Sequence, residues 1–556
     1  MYTVEFNKLP NFNNLYLDYI SSGEEDYKKL APFFNSHFRE NEDIFKVIDE
    51  KVHNYNTSRY FDKNVLIDIL KRQNVTFGGD EHTAANIEML VSENTFAVVT
   101  GQQMGLYTGP MYTILKTIST VKLAKELKER FPQFNFVPVF WLESEDHDID
   151  EANHTYLIDK QNELVRVGFD AENTNDEDGG PRKSSPPVGG IEFGELINSI
   201  NEQLRSTMID TDFKDKIMNM VTRNYREGNN YKTAFAGLMN EIFKGYGVIF
   251  IDPSEHEIKR LLIPVFEKEL TSSPKLCETI ITQSAELEKN YDLQVKPKVI
   301  NMFFLHNNNR LLIEPRDGGK FALKNSKRRF ENEEMLNTLN ENPELFSPNV
   351  VLRPICQDYL LPTVAYIGGP GEISYFAQFK PAYKHYDITM PVIYPRVSVS
   401  IIEGKIAKFM NNFNVKLEDI FHHSFLVSKV VDKLSEVKVE DEISKYLDDL
   451  NKIFYDMRNM TVKVDQTLLN VVDNIKEKTK QNIEQFKSKL INSQAKKSET
   501  TTTQIDKVTN NIYPNNNLQE REINILYFMN KYDEAFIKKL FHEIDVTNFN
   551  HQVIEM

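Results

Sequence analysis

Cysteine, tryptophan and long apolar runs are scarce in this 556-residue sequence. Its two cysteines, Cys277 and Cys356, form no CxxC pair and join no Cys/His cluster with zinc spacing. The sequence therefore provides no disulfide framework and no typical zinc site, which predicts a reducing compartment. No apolar stretch approaches the roughly 18 residues of a membrane span, and the first twenty residues lack the apolar segment of a secretory signal. We expect a cytoplasmic chain that does not enter a membrane.

Positive charge is also in deficit. The chain has 66 Lys and Arg residues against 82 Asp and Glu residues, a net charge of -16. Nucleic-acid affinity depends largely on Lys and Arg neutralising phosphates, so this balance argues against a nucleic-acid partner. A negative net charge is still compatible with a local basic groove that binds a single nucleotide.

Glycine is absent after residue 404, and proline is absent from most of the same region. All 22 glycines lie at or before Gly404, and there is no proline from 396 to 513. Ile443, Leu447, Leu450 and Phe454 recur at heptad spacing, and a second apolar series follows from 468 to 490. This pattern predicts an antiparallel coiled-coil arm over 396–513, with residues 514–556 returning to the core. We expect a homodimer that forms through the arm. The alternative is a monomer in which the two helices of the arm bury their apolar seams against each other as a hairpin.

Before Gly404, short apolar strands alternate with amphipathic helices, which is typical of a mostly parallel sheet covered on both faces. We predict an α/β fold with a Rossmann-like core over 1–395 and insertions at about 165–245 and 290–350. The first insertion opens with an acidic, then Pro- and Gly-rich surface loop at 170–190, and the second contains a hairpin turning at 307–309. The predicted core strands are 96–100, 136–142, 247–252, 363–367 and 391–394.

A glycine-rich loop with the sequence TGQQMGLYTGP joins the first of these strands to a helix. Such a loop lets backbone N–H groups approach an anionic ligand, although it also serves as a tight turn. The candidate binding residues are Thr100, Gly101, Gln102, Gln103, Gly105, Tyr107, Thr108, Gly109 and, in the following helix, Lys116.

An acidic segment, ESEDHDIDEANH, follows the second strand. Open α/β sheets bind ligands at the carboxyl ends of their strands. Its carboxylates and histidines suit three roles between which the sequence does not choose: binding an ammonium group, coordinating Mg²⁺, or general base catalysis. A solvated acidic loop is the alternative. The candidate catalytic residues are Asp146, His147, Asp148, Asp150 and His154.

A second glycine-rich loop, GGPGE, lies between the strand at 363–367 and a helix. Two arginines beside prolines are placed to clamp a carboxylate or phosphate, or to form structural ion pairs. Two loops and an acidic strand end on one edge of one sheet predict a shared cleft. The candidate binding residues here are Gly368, Gly369, Gly371, Glu372, Arg353 and Arg396.

Four segments resemble the cysteine ligases of bacillithiol biosynthesis, the bacillithiol synthase family. They are TGQQMGLYTGPMYTILK, VPVFWLESEDHDIDEANH, IGGPGEISYFAQFKP with MPVIYPR, and NLQERE, and they occur in the family's order over nearly the whole chain. The chain departs from the family pattern at Met104, at Leu115 where histidine is common, at Glu143-Ser144 in place of Ala-Gly, and at Asn516-Asn517. No HIGH or KMSKS signature of adenylate chemistry is present.

The resemblance implies a Rossmann-like core, a coiled-coil domain that forms a homodimer, and a ligase that joins cysteine to the amine of glucosaminyl malate. It implies ATP as the driver and either an acyl-adenylate or an acyl-phosphate intermediate, and Mg²⁺ is a possible cofactor through the acidic segment. Gln519 and Arg521, from the match to LQER, are further candidates for nucleotide binding. Other ATP-dependent ligases or nucleotidylyltransferases, and a dimeric scaffold that binds a nucleotide or intermediate, are the alternatives.

Overall fold

The computed structural model describes residues 1–21, 23–54, 61–169, 186–434, 438–496 and 499–556. Most of the surface loop predicted at 170–190 lies outside these ranges. Part of the turn predicted between residues 496 and 504 lies outside them as well.

The described chain contains strands and helices throughout its length. The strands are β1 (Tyr2–Val4), β2 (Thr95–Gln102), β3 (Asn135–Leu142), β4 (His154–Ile158), β5 (Leu164–Gly168), β6 (Ile249–Ile251), β7 (Met302–His306), β8 (Asn309–Arg316), β9 (Lys320–Leu323), β10 (Arg329–Phe330), β11 (Phe346–Pro348), β12 (Thr363–Gly368), β13 (Val392–Pro395), β14 (Val399–Ile402) and β15 (His551–Glu555). The α-helices are α1 (Asn14–Ile20), α2 (Glu24–Leu30), α3 (Asn41–Asn54), α4 (Lys63–Thr76), α5 (Glu81–Met89), α6 (Tyr112–Arg130), α7 (Ile149–Ala152), α8 (Leu196–Thr207), α9 (Lys214–Asn224), α10 (Tyr231–Ile242), α11 (His256–Ser272), α12 (Lys275–Leu287), α13 (Asn332–Glu341), α14 (Arg353–Leu360), α15 (Pro370–Phe376), α16 (Lys380–Tyr386), α17 (Gly404–Phe413), α18 (Leu417–Ile420), α19 (His423–Leu434), α20 (Val439–Val464), α21 (Leu469–Lys496), α22 (Glu499–Ile512), α23 (Gln519–Glu522), α24 (Ile525–Tyr532) and α25 (Ala535–Glu543).

A five-stranded parallel sheet in the order β13-β12-β2-β3-β6 forms the centre of the core. The order reverses beside β2, the first of these strands in the chain, as in doubly wound folds. Side chains of β3 alternate between two hydrophobic clusters: Val139 and Trp141 belong to one, Phe140 and Leu142 to the other. Both faces of the sheet are therefore covered, and the predicted Rossmann-like α/β fold is confirmed.

The insertion after α12 contains more β-structure than the sequence indicates. The predicted hairpin forms from β7 and β8, which continue into a five-stranded antiparallel sheet in the order β10-β9-β8-β7-β11. The other insertion forms the β4–β5 hairpin and helices α8 to α10. The antiparallel sheet brings its own residues to the edge of the central sheet, as described below.

The C-terminal part begins with a strand rather than a helix. Within the range predicted as helical arm, Val399–Ile402 forms β14, which pairs in parallel with β15, and β15 pairs with β1. The helical segment therefore starts at Gly404. Residues 399–402 are all buried and extended, and their partner strand lies about 150 residues further along the chain.

The two longest helices, α20 and α21, form the predicted antiparallel pair. The last part of α20 meets the first part of α21 through an Arg458–Asp473 ion pair. The opposite ends meet where Lys487 Nζ lies 2.7 Å from Glu440 Oε1. No helix of the described chain combines the length and apolar character needed to cross a membrane.

Candidate functional site

A polar cavity of about 580 Å³ lies at the carboxyl edge of the parallel sheet. Its walls come from the loops after β2, β3 and β12, from the antiparallel sheet, from the segment after α12, and from the C-terminal part. The charged residues that line it are Lys116, Glu143, Glu145, Asp146, His147, Glu151, Lys296, Lys298, Arg310, Arg353, Glu372, Arg396 and Arg521.

Lys116 and Glu372 form a buried ion pair between the two glycine-rich loops. Lys116 Nζ also donates to the carbonyl oxygen of Gly101 at 2.8 Å and to Gln102 Oε1 at 2.9 Å. Glu372 occupies the first turn of α15, where its carboxylate accepts from the Gly369 N–H at 2.8 Å. Burial opposes ionisation of Glu372, but Lys116 and this N–H outweigh it and lower its pKa. The pair fixes the first loop to the second.

Glu143 is the first residue after β3, and Arg353 begins α14. Glu143 Oε1 lies 3.1 Å from Arg353 Nε. Arg353 Nη2 donates to the Tyr375 hydroxyl at 2.8 Å, whereas Nη1 is buried with no hydrogen-bond partner among the described residues. Burial raises the pKa of Glu143 to about 7, although Arg353 acts in the opposite direction. Arg353 therefore holds Glu143 and Tyr375 together at the cavity wall.

Asp146 and His147 meet Arg310, which the β7–β8 hairpin carries into the cavity. Asp146 accepts from the His147 N–H at 2.6 Å, and Arg310 Nη1 lies 4.0 Å from its carboxylate. Arg310 is anchored by Ser347 Oγ at 2.9 Å and lies over the Phe303 ring. Burial disfavours the ionised form of Asp146, but hydrogen bonding by His147 and the charge of Arg310 lower its pKa. Asp146 therefore stays ionised at neutral pH.

Arg396 is held from behind by residues of the C-terminal part. Its Nη2 donates to Glu520 Oε1 at 2.7 Å, and Glu520 is almost fully buried. Ser398 Oγ donates to the same carboxylate at 3.0 Å and contacts His551 Nδ1 at 2.8 Å. Burial lowers the pKa of His551 to about 4, so its ring is neutral at pH 7. This network connects Arg396 to β15 through His551 and to β14 through the Val399 N–H, which donates to Glu520.

Three cations of the cavity wall have no acidic partner among the described residues. The side chains of Lys296, Lys298 and Arg521 line the cavity without an ion pair or hydrogen bond in the described part of the chain. Arg521 lies near the Tyr112 ring, 5.9 Å from its centroid. Uncompensated cations that face a cavity bind phosphate or carboxylate groups.

Twelve of the candidate residues line the cavity and the others lie outside it. Those in the lining are Gly101, Gln102, Gln103, Lys116, Asp146, His147, Arg353, Gly369, Gly371, Glu372, Arg396 and Arg521. Those outside the lining are Thr100, Gly105, Tyr107, Thr108, Gly109, Asp148, Asp150, His154, Gly368 and Gln519.

The outer candidates of the first loop connect it to other parts of the chain. Asn524 Nδ2 donates to the carbonyl oxygens of Tyr107 at 2.8 Å and Gly109 at 2.7 Å. The Tyr107 hydroxyl donates to Asn201 at 2.7 Å. Thr100 Oγ1 donates to the carbonyl oxygen of Ile367 at 3.0 Å, which ties β2 to β12. These side chains and carbonyls hold the loop and leave its first residues facing the cavity.

The remaining outer candidates also have local contacts. The Asp148 carboxylate caps α7 by accepting from the Glu151 N–H at 3.2 Å, and His154 Nδ1 contacts Asn153 Oδ1 at 2.8 Å. Gln519 Oε1 accepts from the Ile401 N–H at 2.7 Å. Asp150 is exposed.

Several cavity residues were not among the sequence-based candidates. They are Tyr112, Glu143, Glu145, Glu151, Lys296, Lys298, Arg310 and Tyr375. A signal existed for Glu143, which stands directly at the carboxyl end of a core strand. Nothing local marks Arg310 or the two lysines, because an insertion brings them to the sheet edge from elsewhere in the sequence. Among described residues, no three His, Cys, Asp or Glu side chains are grouped to hold a metal ion.

These features define a Rossmann-like α/β protein with a charged cleft at its strand ends and a C-terminal helical arm. Residues 2–397 match the family model for the N-terminal Rossmann-like domain of bacillithiol biosynthesis BshC, and residues 399–556 match its C-terminal coiled-coil domain. The chain belongs to the BshC family of bacillithiol biosynthesis.

Several relatives match this chain over most of its length and most of their own. A protein of Chloroherpeton thalassium is 37% identical, over 97% of this chain and 96% of the relative. One of Salinibacter ruber is 35% identical, over 89% of each, and one of Chlorobaculum tepidum is 34% identical, over 95% and 94%. Each bears the name "Putative cysteine ligase BshC".

Proposed function

We propose that this chain is a carbon–nitrogen ligase that joins the carboxylate of cysteine to the amine of glucosaminyl malate at the expense of ATP. The observation that carries the proposal is that the cavity lining contains both carboxylates and cations that have no acidic partner among the described residues. Lys296, Lys298 and Arg521 are cations without acidic partners, while Glu143 and Asp146 are carboxylates on the strand-end side. A ligase of this type needs one region for phosphate and carboxylate groups and another for an amine.

Activation of the carboxylate accounts for the cations. A free carboxylate does not acylate an amine at neutral pH, so its oxygen must first become part of a better leaving group. Transfer of AMP or a phosphoryl group from ATP achieves this, and both reactions develop negative charge that arginine and lysine stabilise.

Mg²⁺ fits this reaction as a companion of the nucleotide. It is bound in such sites through one or two carboxylates, phosphate oxygens and water, so a complete protein cage is not needed. Asp146, ionised at neutral pH, is the cavity carboxylate that suits this role best. The metal would neutralise phosphate charge during activation.

The test is an incubation of the purified chain with ATP, Mg²⁺, cysteine and glucosaminyl malate, followed by mass spectrometry. We expect the amide thiol, with AMP for an acyl-adenylate and ADP for an acyl phosphate. Lys298→Met should reduce its formation at least tenfold, because it removes an uncompensated cation. Lys405→Met, exposed on α17, is the matched control. Nucleotide binding without any product would reject the ligase and support a binding scaffold.

We also propose that the arm forms a homodimer. The buried seam of α20 faces α21 through residues such as Ile443 and Phe454. A second apolar stripe on α20 is exposed and includes Tyr446, Ile453 and Met460 at intervals of seven residues. A second heptad seam on one helix is the pattern expected when another helix packs against it.

A further inference from the structure

The segment 292–301, between α12 and β7, brings two lysines into the cavity. Exposed and partly buried residues alternate from 292 to 298, which is the pattern of an extended backbone whose successive side chains face opposite sides. Lys296 and Lys298 therefore face the same side, and both line the cavity. Pro297 between them favours an extended conformation at Lys296. The two ammonium groups are thus carried as neighbours on one stretch of backbone.

Buried amide side chains hold this segment in place. Gln378, which is fully buried, accepts from the Val295 N–H at 3.0 Å and donates to the Val295 carbonyl oxygen at 2.8 Å. Asn301, also fully buried, accepts from the Lys298 N–H at 3.2 Å, and its own N–H donates to Glu269 at 2.7 Å. A loop that served only as a connection would not need such partners, so the two lysines are presented from a fixed backbone.

The same segment belongs to the wall that carries Arg310. Asn349 Nδ2 donates to Asn301 Oδ1 at 3.0 Å. The carbonyl oxygen of the adjacent Pro348 accepts from Arg310 Nη2 at 2.6 Å. Arg310 in turn lies 4.0 Å from the Asp146 carboxylate, in the acidic segment after β3. One set of contacts therefore connects the lysine-bearing segment to the acidic segment.

Arg521, the other cation of the lining without an acidic partner in the described chain, belongs to a different part of the wall. It comes from α23, and its guanidinium lies 5.9 Å from the centroid of the Tyr112 ring. The Arg396 guanidinium lies 5.7 Å from the same centroid. The lining therefore has two cationic groups of different origin: two arginines beside a ring of α6, and two lysines on the segment 292–301.

We propose that Lys296 and Lys298 bind the two carboxylates of the malyl group and so select the acceptor substrate. The inference rests on the proposed ligase function, because glucosaminyl malate is the acceptor in that reaction. This compound carries an ammonium group and two carboxylates on either side of one glycosidic bond, so cations and carboxylates on the same wall complement it. A nucleotide offers only phosphate charges, which the carboxylates of the acidic segment repel.

The spacing of the two lysines suits two carboxylates on neighbouring carbon atoms. An extended backbone separates their Cα atoms by roughly 6.5 Å, and the long, flexible side chains allow both ammonium groups to converge on one ligand. Neither ammonium group has an acidic partner among the described residues that it must give up on binding. The two lysines should therefore contribute to the affinity for the acceptor and not to the affinity for ATP.

Calorimetry on the purified full chain tests this assignment with three probes: glucosaminyl malate, methyl glucosaminide, which lacks both carboxylates, and ATP. The wild type should bind glucosaminyl malate about tenfold more tightly than methyl glucosaminide, or better. The double variant Lys296→Met, Lys298→Met should lose this difference and bind ATP with unchanged affinity. Lys324→Met with Lys327→Met, which removes two exposed lysines between β9 and β10, is the matched control outside the cavity lining.

Three results would overturn the assignment. A wild type that binds both sugars equally has no subsite for the carboxylates. Loss of ATP affinity in the double variant, with the preference for glucosaminyl malate retained, would place phosphates at the lysines. Unchanged binding of all three probes would make them solvated surface lysines.

The ligase proposal is judged separately, by amide formation in the wild type. A wild type that binds glucosaminyl malate through the two lysines but forms no amide would reject the ligase and leave the subsite in place. Amide formation by the double variant with the wild-type KM for glucosaminyl malate would reject the subsite alone.

Discussion

Single side chains in the cleft follow one rule: a buried charge has a partner, and the unpartnered charges face the cavity. Lys116 with Glu372 and Arg396 with Glu520 are paired in the floor. Lys296 and Lys298 are not paired with any described residue. Removing one partner of a buried ion pair costs about 3 kcal/mol or more, because the other charge is left unpaired. The paired residues therefore hold each other in place and position the loops that carry them. The unpaired ones remain available to a ligand.

Acid should lower the free energy of unfolding because His551 is buried in its neutral form. The ring is buried between Ser398 and Ser400, and its pKa falls from 6.5 in the unfolded chain to about 4 in the folded one. Between these values the unfolded chain binds the extra proton, so stability is lost as pH falls. From pH 7 to pH 5 we expect the free energy of unfolding to decrease by about 2 kcal/mol from this residue.

Urea unfolding of the wild type and of His551→Gln at both pH values checks this prediction. Glutamine keeps a donor and an acceptor for the two serines and does not titrate. The variant should therefore lose less stability than the wild type between pH 7 and pH 5. An equal loss in both proteins would show that other groups cause the acid sensitivity.

Sequence reasoning at this scale was limited to residues next to strand ends and glycine-rich loops. It selected Lys116 and Asp146, which line the cavity, because such loops and strand ends form the edge where these folds bind ligands. It did not find Arg310, whose position depends on how the antiparallel sheet docks. It selected Tyr107, which has the right position in the chain but faces Asn201.

At the scale of elements, the first glycine-rich loop shows how a turn separates binding residues from structural ones. Thr108 has φ of 75° and Gly109 has φ of 66° with ψ of -156°. Residues with side chains rarely adopt these conformations. The turn directs the loop towards the C-terminal part, where Asn524 Nδ2 donates hydrogen bonds to the carbonyl oxygens of Tyr107 and Gly109.

Gly109→Ala should therefore destabilise the protein by about 1–3 kcal/mol, because alanine at this φ and ψ is strained. A thermal unfolding midpoint several degrees below the wild type is the expected result. Gly194→Ala is the matched control, since no atom lies within 4 Å of a Cβ built there and its φ is not in the left-handed region. A Gly109→Ala midpoint equal to that of the control would contradict the prediction.

The elements that the sequence predicted well are those with long, unambiguous patterns. The buried core strands and the helices α20 and α21 have continuous apolar or heptad character. Strands β9 to β11 are two to four residues long, and β9 begins with an exposed lysine. β14 has its main partner some 150 residues away. Short strands and distant pairing leave little local signal.

At the scale of the whole molecule, the exposed stripe on α20 leads to a prediction about assembly. Ile453→Glu and Met460→Glu together should convert the proposed dimer to a monomer, because charged groups would be buried in the second seam. Light scattering on the purified protein measures the mass directly. Asn451→Glu, on another face of the same helix, is the matched control and should leave the dimer intact. A wild-type monomer would reject the proposal.

The three-stranded sheet β1-β15-β14 also joins the two ends of the chain. Residues 551–555 pair with residues 2–4 and flank the strand that precedes the helical arm. His551 in β15 and Glu520 in α23 support Arg396 in the cleft. The support of Arg396 therefore comes from residues at least 124 positions further along the sequence. A change that unpairs β15 would leave the Rossmann-like strands in place and still weaken the support of Arg396, so the order of the cleft depends on a sheet that is separate from the central one.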